Sequence, residues 1–182
     1  MNEKGWPSVT EVLRDMGIVN YFGPPGAAAQ RGRLVHAACG ILAQGQALDS
    51  DWIERHDDLL PYLDGFAAAL AGPLNGFIPL RLEHEVVNET ERFIGHSDQE
   101  NDESLLELKT GGYPEWSRLQ TAAYAMGRRL KRIVVSLPGD GKFKLVEHHD
   151  ARDKDRFILL VRAWWVRSEF CKAGETQNET RI

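Results

Sequence analysis

Glu107 and Lys109 stand two residues apart in the run Leu106-Glu107-Leu108-Lys109-Thr110, and on a β-strand residues two apart share a face. The two charges therefore project together, while Leu106 and Leu108 project to the other side. Nine residues before Glu107, Asp98 ends a second strand-like run, Arg92-Phe93-Ile94-Gly95-His96-Ser97. The polar stretch Gln99 to Ser104 between them reads as a hairpin connection. Folding it back sets the Asp98 and Glu107 carboxylates side by side with the Lys109 ammonium in reach. Two carboxylates and a lysine at a strand end suit a divalent-metal site for hydrolysis. The plainer alternatives are a turn aspartate at a strand end and a surface ion pair worth about 0–1 kcal/mol.

This arrangement resembles the PD-(D/E)XK nuclease superfamily over most of the chain. Further matches narrow the resemblance to its RecB-type branch. Gly32-Arg33-Leu34-Val35-His36 is similar to the glycine-to-histidine helix whose histidine is a metal ligand. Glu83, in Arg81-Leu82-Glu83-His84-Glu85-Val86-Val87, sits where the branch carries a glutamate on its first core strand. Gln120-Thr121-Ala122-Ala123-Tyr124 is similar to its glutamine-and-tyrosine motif. Within the branch the chain looks most like small phage-borne exonucleases. Two departures stand out: Ser97 occupies the usual proline position, and Asp98 is followed at once by polar Gln99, Glu100, Asn101 and Asp102, which predicts a shortened hairpin.

The resemblance implies roles. His36, Asp98, Glu107 and the backbone carbonyl of Leu108 would hold one or two Mg2+ or Mn2+ ions, the imidazole shifting preference toward manganese. Lys109 would align the attacking water and stabilise charge on the phosphate. Gln120 would bond near the metal or Lys109, and Tyr124, four residues on and so on the same helix face, would touch a phosphate or base. Alternatively Tyr124 is a core aromatic with its hydroxyl at the surface, and His36 a polar residue of the helix. Glu83 and Glu85 share a strand face, so periodicity cannot separate them; Glu83 is preferred for its spacing to Val86 and Val87. Gly32 would allow close approach of its helix to the sheet or to DNA. Trp116 is a candidate for a DNA-facing rim, the other tryptophans for the core.

At 182 residues the length suits one domain: a mainly helical part over 1–75, a core of sheet and flanking helices over 76–173, and a polar tail over 174–182. No stretch is apolar for long enough to span a bilayer, and the N-terminus lacks the pattern of a secretion signal, so a cytoplasmic setting with no membrane partner is the default expectation. Two cysteines, Cys39 and Cys171, are too few for a four-cysteine iron-sulfur cluster and read as reduced helix residues. The net charge of −5 runs against the basic balance of nucleic-acid enzymes. Positive charge is nevertheless clustered at Arg31-Gly32-Arg33 and at Arg128-Arg129-Leu130-Lys131-Arg132, each a phosphate track or a solvated helix end.

The elements that must position these residues follow from local signals. Ser8 and Glu11 form a capping box for a short helix ending by Gly17. A loop at Gly23-Pro24-Pro25-Gly26 precedes a helix over 27–44, with an apolar stripe at Leu34, Val35, Ala38, Ile41 and Leu42. Residues 50–71 read as helix interrupted near Pro61. Strands are expected at 77–88, 91–97 and 104–110. A helix over 114–130 follows, with Pro114 in its first turn, then strands at 132–137 and 142–147 across a Pro138-Gly139-Asp140-Gly141 turn. A last helix over 152–173 buries Phe157, Leu160, Trp164 and Trp165. The expected architecture is α/β, a mixed sheet of about five strands flanked by helices, as in the restriction-endonuclease-like core of the resembling family. A DNA exonuclease of phage or bacterial recombination, replication or repair is the expected function, with DNA and a recombinase or single-strand-binding protein as partners. A nicking or structure-selective endonuclease and an inert DNA- or partner-binding module of the same fold are the rivals.

Overall fold

The computed structural model describes residues 4–19 and 26–179, side chains excepted from 172 onward; most of the expected Gly23–Gly26 loop lies outside the described residues. Helix α1 (Val9–Asp15) opens with the expected capping box: Ser8 accepts from the Glu11 backbone, and Glu11 accepts from the Ser8 backbone. Helix α2 (Ala27–Ala43) buries Val35, Ala38, Cys39 and Ala43, while Leu34, Ile41 and Leu42 of the expected stripe are half-buried, Leu34 and Leu42 against the core. The segment expected to break near Pro61 breaks earlier. Helix α3 (Ser50–Arg55) is followed by a short 3-10 turn (Asp57–Leu59), and Pro61 lies in the first turn of α4 (Leu60–Ala71), where its missing N–H costs nothing.

Strands β1 (Arg81–Asn88), β2 (Phe93–Glu100), β3 (Ser104–Thr110), β4 (Lys131–Leu137) and β5 (Lys144–His148) form one mixed sheet in the order β1-β2-β3-β4-β5. β1–β2, β2–β3 and β4–β5 are antiparallel and β3–β4 is parallel. Residues 77–80, expected as strand, precede β1. The fold class is as expected: a five-stranded mixed sheet between helical layers. On one face α2 and α4 pack on Leu106, Leu108, Ile133, Val135 and Leu137. On the other, α1, α5 (Ser117–Tyr124) and α6 (Arg152–Glu179) enclose Phe93, Leu105, Phe157 and Val161. β3 thus sends Leu106 and Leu108 to one layer and Leu105 to the other, with a polar remainder on the α5 side.

Three expectations need correction. The polar stretch after Asp98 is not all connection: β2 runs on through Gln99 and Glu100, both buried, the β2–β3 ladder is short at two residue pairs, and the turn is only residues 101–103, held by Asn101 Oδ1 accepting from the Glu103 and Ser104 N–H groups. A buried glutamate is tolerated there because Arg128 Nη1 lies 2.9 Å and His84 Nε2 3.2 Å from its carboxylate. The motif helix α5 is shorter than 114–130: Pro114 precedes it, accepting from Ser117 N–H and Oγ, and its C-terminal Tyr124 carbonyl is capped by Arg128. α6 continues past Ala173 to Glu179, so most of the expected tail is helix. It buries Phe157 and Val161 fully, while Leu160, Trp164 and Trp165 are half-buried. Cys39 and Cys171 are free thiols on α2 and α6, and no described helix is long and apolar enough to cross a membrane.

Candidate active site

β2 and β3 pair only at Gln99–Leu106 and Glu100–Leu105, while β3 continues along β4 over seven residue pairs. The two strands therefore fork. Backbone groups at a fork lose their ladder partners and need others. Asp98 supplies one: its Oδ2 accepts from the Leu108 N–H at 2.6 Å. Because a strand residue directs its N–H and C=O to the same edge, the Leu108 carbonyl also faces the fork. Asp98 lies inside β2, two residues before its end, rather than at the strand terminus.

Four elements bring side chains to this opening. From α2, His36 Nδ1 lies 3.2 Å from Asp98 Oδ1. From β3, Lys109 Nζ donates to Glu107 Oε1 at 2.8 Å and to Gln120 Oε1 of α5 at 2.9 Å. Gln120 Nε2 in turn donates to the Tyr124 hydroxyl at 2.9 Å. The Lys109 ammonium also sits over the Trp116 ring, 5.0 Å from its centroid, a cation–π contact that sequence spacing does not reveal. Tyr124 is only 3% exposed, with its hydroxyl inside on Gln120. Its ring can lie on β2 because residue 95 is glycine: a Cβ there would meet Tyr124 Cε1 at 2.4 Å. Gly32 shows no comparable need, since a Cβ would meet Thr110 Oγ1 at an ordinary 3.5 Å.

From β1 comes Glu83. Its register partner would be Asp98, but the pairing skips from Leu82–Gln99 to His84–Ser97, and Glu83 has φ +47. A non-glycine residue held there costs about 1–3 kcal/mol. One ligand atom each from His36, Glu83 and Asp98 lies within 4.8 Å of the others. Glu85 instead faces His96 at 3.9 Å. The local twist thus separates the two glutamates that strand periodicity leaves equivalent, and it places Glu83 in the same group as His36 and Asp98.

Electrostatics set an order of ionisation. Burial opposes the Asp98 charge, but the His36 ring, Lys109 and the Leu108 N–H outweigh it and lower its pKa. Burial and the Asp98 charge push Glu107 up to about 7 against the pull of Lys109, so in this coupled pair Asp98 ionises first. Burial favours neutral His36, yet Asp98 reverses this and raises its pKa above 6.5. Among the described residues Glu107 Oε2 is buried without a hydrogen-bond partner, as are Ser97 Oγ, both Gln99 amide atoms and Glu100 Oε2. The group whose ligand atoms lie close enough for one divalent cation is His36, Glu83 and Asp98; Glu107 is outside that group but feels the charges of Asp98 and His36, and carboxylates with an imidazole are a donor set suited to a divalent cation.

The basic clusters divide. Arg128 and Arg132 are engaged internally, with Glu100 and the Tyr124 carbonyl and with Asp153, while Arg33, Arg129 and Lys131 are exposed. A polar group absent from the sequence expectations joins Tyr113, Thr121 and His148: the Tyr113 hydroxyl lies 2.8 Å from His148 Nε2 and Thr121 Oγ1 3.0 Å from Nδ1. Its members lie up to 35 residues apart, beyond the reach of local patterns.

No known protein-family model and no curated protein matches the chain. Among solved structures, the crystal structure of LHK-Exo in complex with dAMP is similar at a TM-score of 0.42 and 18% identity, over 95% of this chain and 94% of that one. The crystal structure of the alkaline exonuclease LHK-Exo from Laribacter hongkongensis is similar at 0.37 and 17%, over 93% and 95%. At these values the functional argument rests on the geometry of the fork itself.

Proposed function

We propose that this chain is a metal-dependent deoxyribonuclease that works as an exonuclease on phage or bacterial DNA during recombination, replication or repair. The observation that carries the reading is the fork between β2 and β3, where His36, Glu83 and Asp98 bring ligand atoms within 4.8 Å of one another and the Lys109–Glu107 pair lies on the adjoining stretch of β3, within electrostatic range of Asp98. His36, Glu83, Asp98 and Glu107, with the Leu108 carbonyl, would hold one or two Mg2+ or Mn2+ ions. Such ions, when bound, supply Lewis-acid polarisation of a phosphate and a more acidic water.

The chain's own residues do the rest. Lys109, held by Glu107 and Gln120, keeps a positive charge and donor hydrogens directed at the position where negative charge grows on the phosphate. It also aligns the attacking water. Gln120 is a positioning residue, fixed by the Tyr124 hydroxyl, and Tyr124 acts through it. Glu83 completes the carboxylate set from the far side of Asp98.

The test uses end-labelled linear DNA, single- and double-stranded, beside closed circular DNA, with Mn2+, Mg2+ or chelator. Metal-dependent loss of the linear forms alone is the expected result. Cleavage of the closed circle would make the protein an endonuclease, and no cleavage in any metal would make it an inert binding module; either overturns the exonuclease reading.

A further inference from the structure

The chain carries net negative charge, yet one cavity gathers cations without neutralising them. It has a volume of about 640 Å3 and lies where β4 begins, between the end of α5 and the start of α6. Arg129, Lys131 and Lys154 stand on its wall, all exposed. Among the described residues no carboxylate pairs with any of the three, whereas Arg128 and Arg132 beside them are paired with Glu100 and Asp153. Of the acidic lining residues, Asp150 is engaged by Arg118, Arg152 and Arg156, which leaves Glu147, with His149 at 3.7 Å, as one carboxylate against three cations. Three like charges, from the α5–β4 loop, the start of β4 and α6, repel one another, and a cavity wall on which cations outnumber carboxylates concentrates anions.

The lining contains no Phe, Tyr or Trp on which a base could stack, so its chemistry suits phosphate charge rather than a nucleobase. Its position suits a long polyanion. Lys131 pairs with Ser104 at the start of β3, and Lys109 lies five residues further along that strand. At about 3.3 Å per residue this is roughly 17 Å, or about five nucleotide steps of one DNA strand at about 3.4 Å each.

We propose that this cavity is an exosite for the phosphate backbone of nucleic acid, engaged several nucleotides away from the phosphate held at the fork. The proposal rests on the nuclease reading and gives it a substrate requirement: very short oligonucleotides reach the fork but not the exosite, and so bind more weakly than long ones.

Fluorescence anisotropy of labelled duplex and single-stranded DNA in chelator, across a salt series, tests it with wild type and the triple variant Arg129→Ala, Lys131→Ala, Lys154→Ala. A second triple variant, Arg14→Ala, Arg55→Ala, Lys142→Ala, removes the same formal charge elsewhere. In the cavity variant the slope of log affinity against log salt should become shallower by about two to three, near 0.7–0.9 per lost phosphate contact, with affinity at least about tenfold weaker at low salt. The control variant should keep the wild-type slope. An unchanged slope in the cavity variant, or an equal change in both variants, would overturn the exosite while leaving the nuclease reading intact. Failure of the wild type to bind any DNA would overturn both.

Discussion

Cation binding at the fork should expel protons, and the amount follows from the arrangement of charges. Glu107 titrates near 7 because it is buried beside Asp98. With that value it is about one-tenth ionised at about pH 6 and about nine-tenths ionised at about pH 8. If the bound ion requires the carboxylate, apparent affinity rises about tenfold over that interval from Glu107 alone, or ~1.4 kcal/mol. His36, raised above its ordinary value by Asp98, must also lose its proton to become a ligand and adds in the same direction. Without metal the sign reverses for stability: between about 4.5 and about 7 the folded chain holds the Glu107 proton that the unfolded chain has released, so this group destabilises the fold as pH rises through that window. Calorimetric titration with Mn2+ at several pH values, in two buffers of different ionisation enthalpy, reads both affinity and protons released. Glu107→Gln should flatten most of the slope. Affinity independent of pH, with no proton release, would refute the argument.

Other perturbations have calculable signs. Gly95→Ala drives a methyl into the Tyr124 ring and should cost about 1–3 kcal/mol, read by urea denaturation. Arg128→Ala strips a partner from Glu100, which is fully buried. Breaking a buried pair costs about 3–5 kcal/mol, reduced here to roughly 2 because Arg128 is about a third exposed and His84 remains close; denaturant midpoints of the variant and of Glu100→Gln would show it. His148 is held at about 4 by burial and by Arg132, so the unfolded chain binds more protons between about 4 and about 6.5. That stabilisation is fully present above about 6.5 and is lost as pH falls toward 4, and His148→Phe should flatten the melting temperature over this window.

The shared face of Glu107 and Lys109 on β3 was legible because a strand's period of two is a local property, and the Ser8–Glu11 cap was legible because its pattern is local too. The end of β2 was not: Gln99 and Glu100 look like a turn until Arg128 and His84 are brought to the Glu100 carboxylate, a long-range pairing that no window of sequence contains. The choice between Glu83 and Glu85 depended on a left-handed backbone at Glu83, which side-chain patterns do not encode. α5 was overextended for a related reason, since the cap on its Tyr124 carbonyl comes from Arg128 beyond the helix, inside the segment read as helical. Resemblance to a motif placed Asp98, Glu107, Lys109 and Gln120 in the expected order; only the fork explains how Asp98 meets them, through the Leu108 N–H.

Single-turnover cleavage of linear DNA by wild type and by Lys109→Ala, in Mn2+ and in chelator, tests the central claim most directly. The account predicts cleavage only by the wild type with metal, and a fall of at least about 100-fold in the variant, the scale of one lost charge-stabilising donor, at a pH and temperature where circular dichroism shows the variant folded. Cleavage that persists in chelator, or a folded Lys109→Ala variant cutting at the wild-type rate, would contradict it.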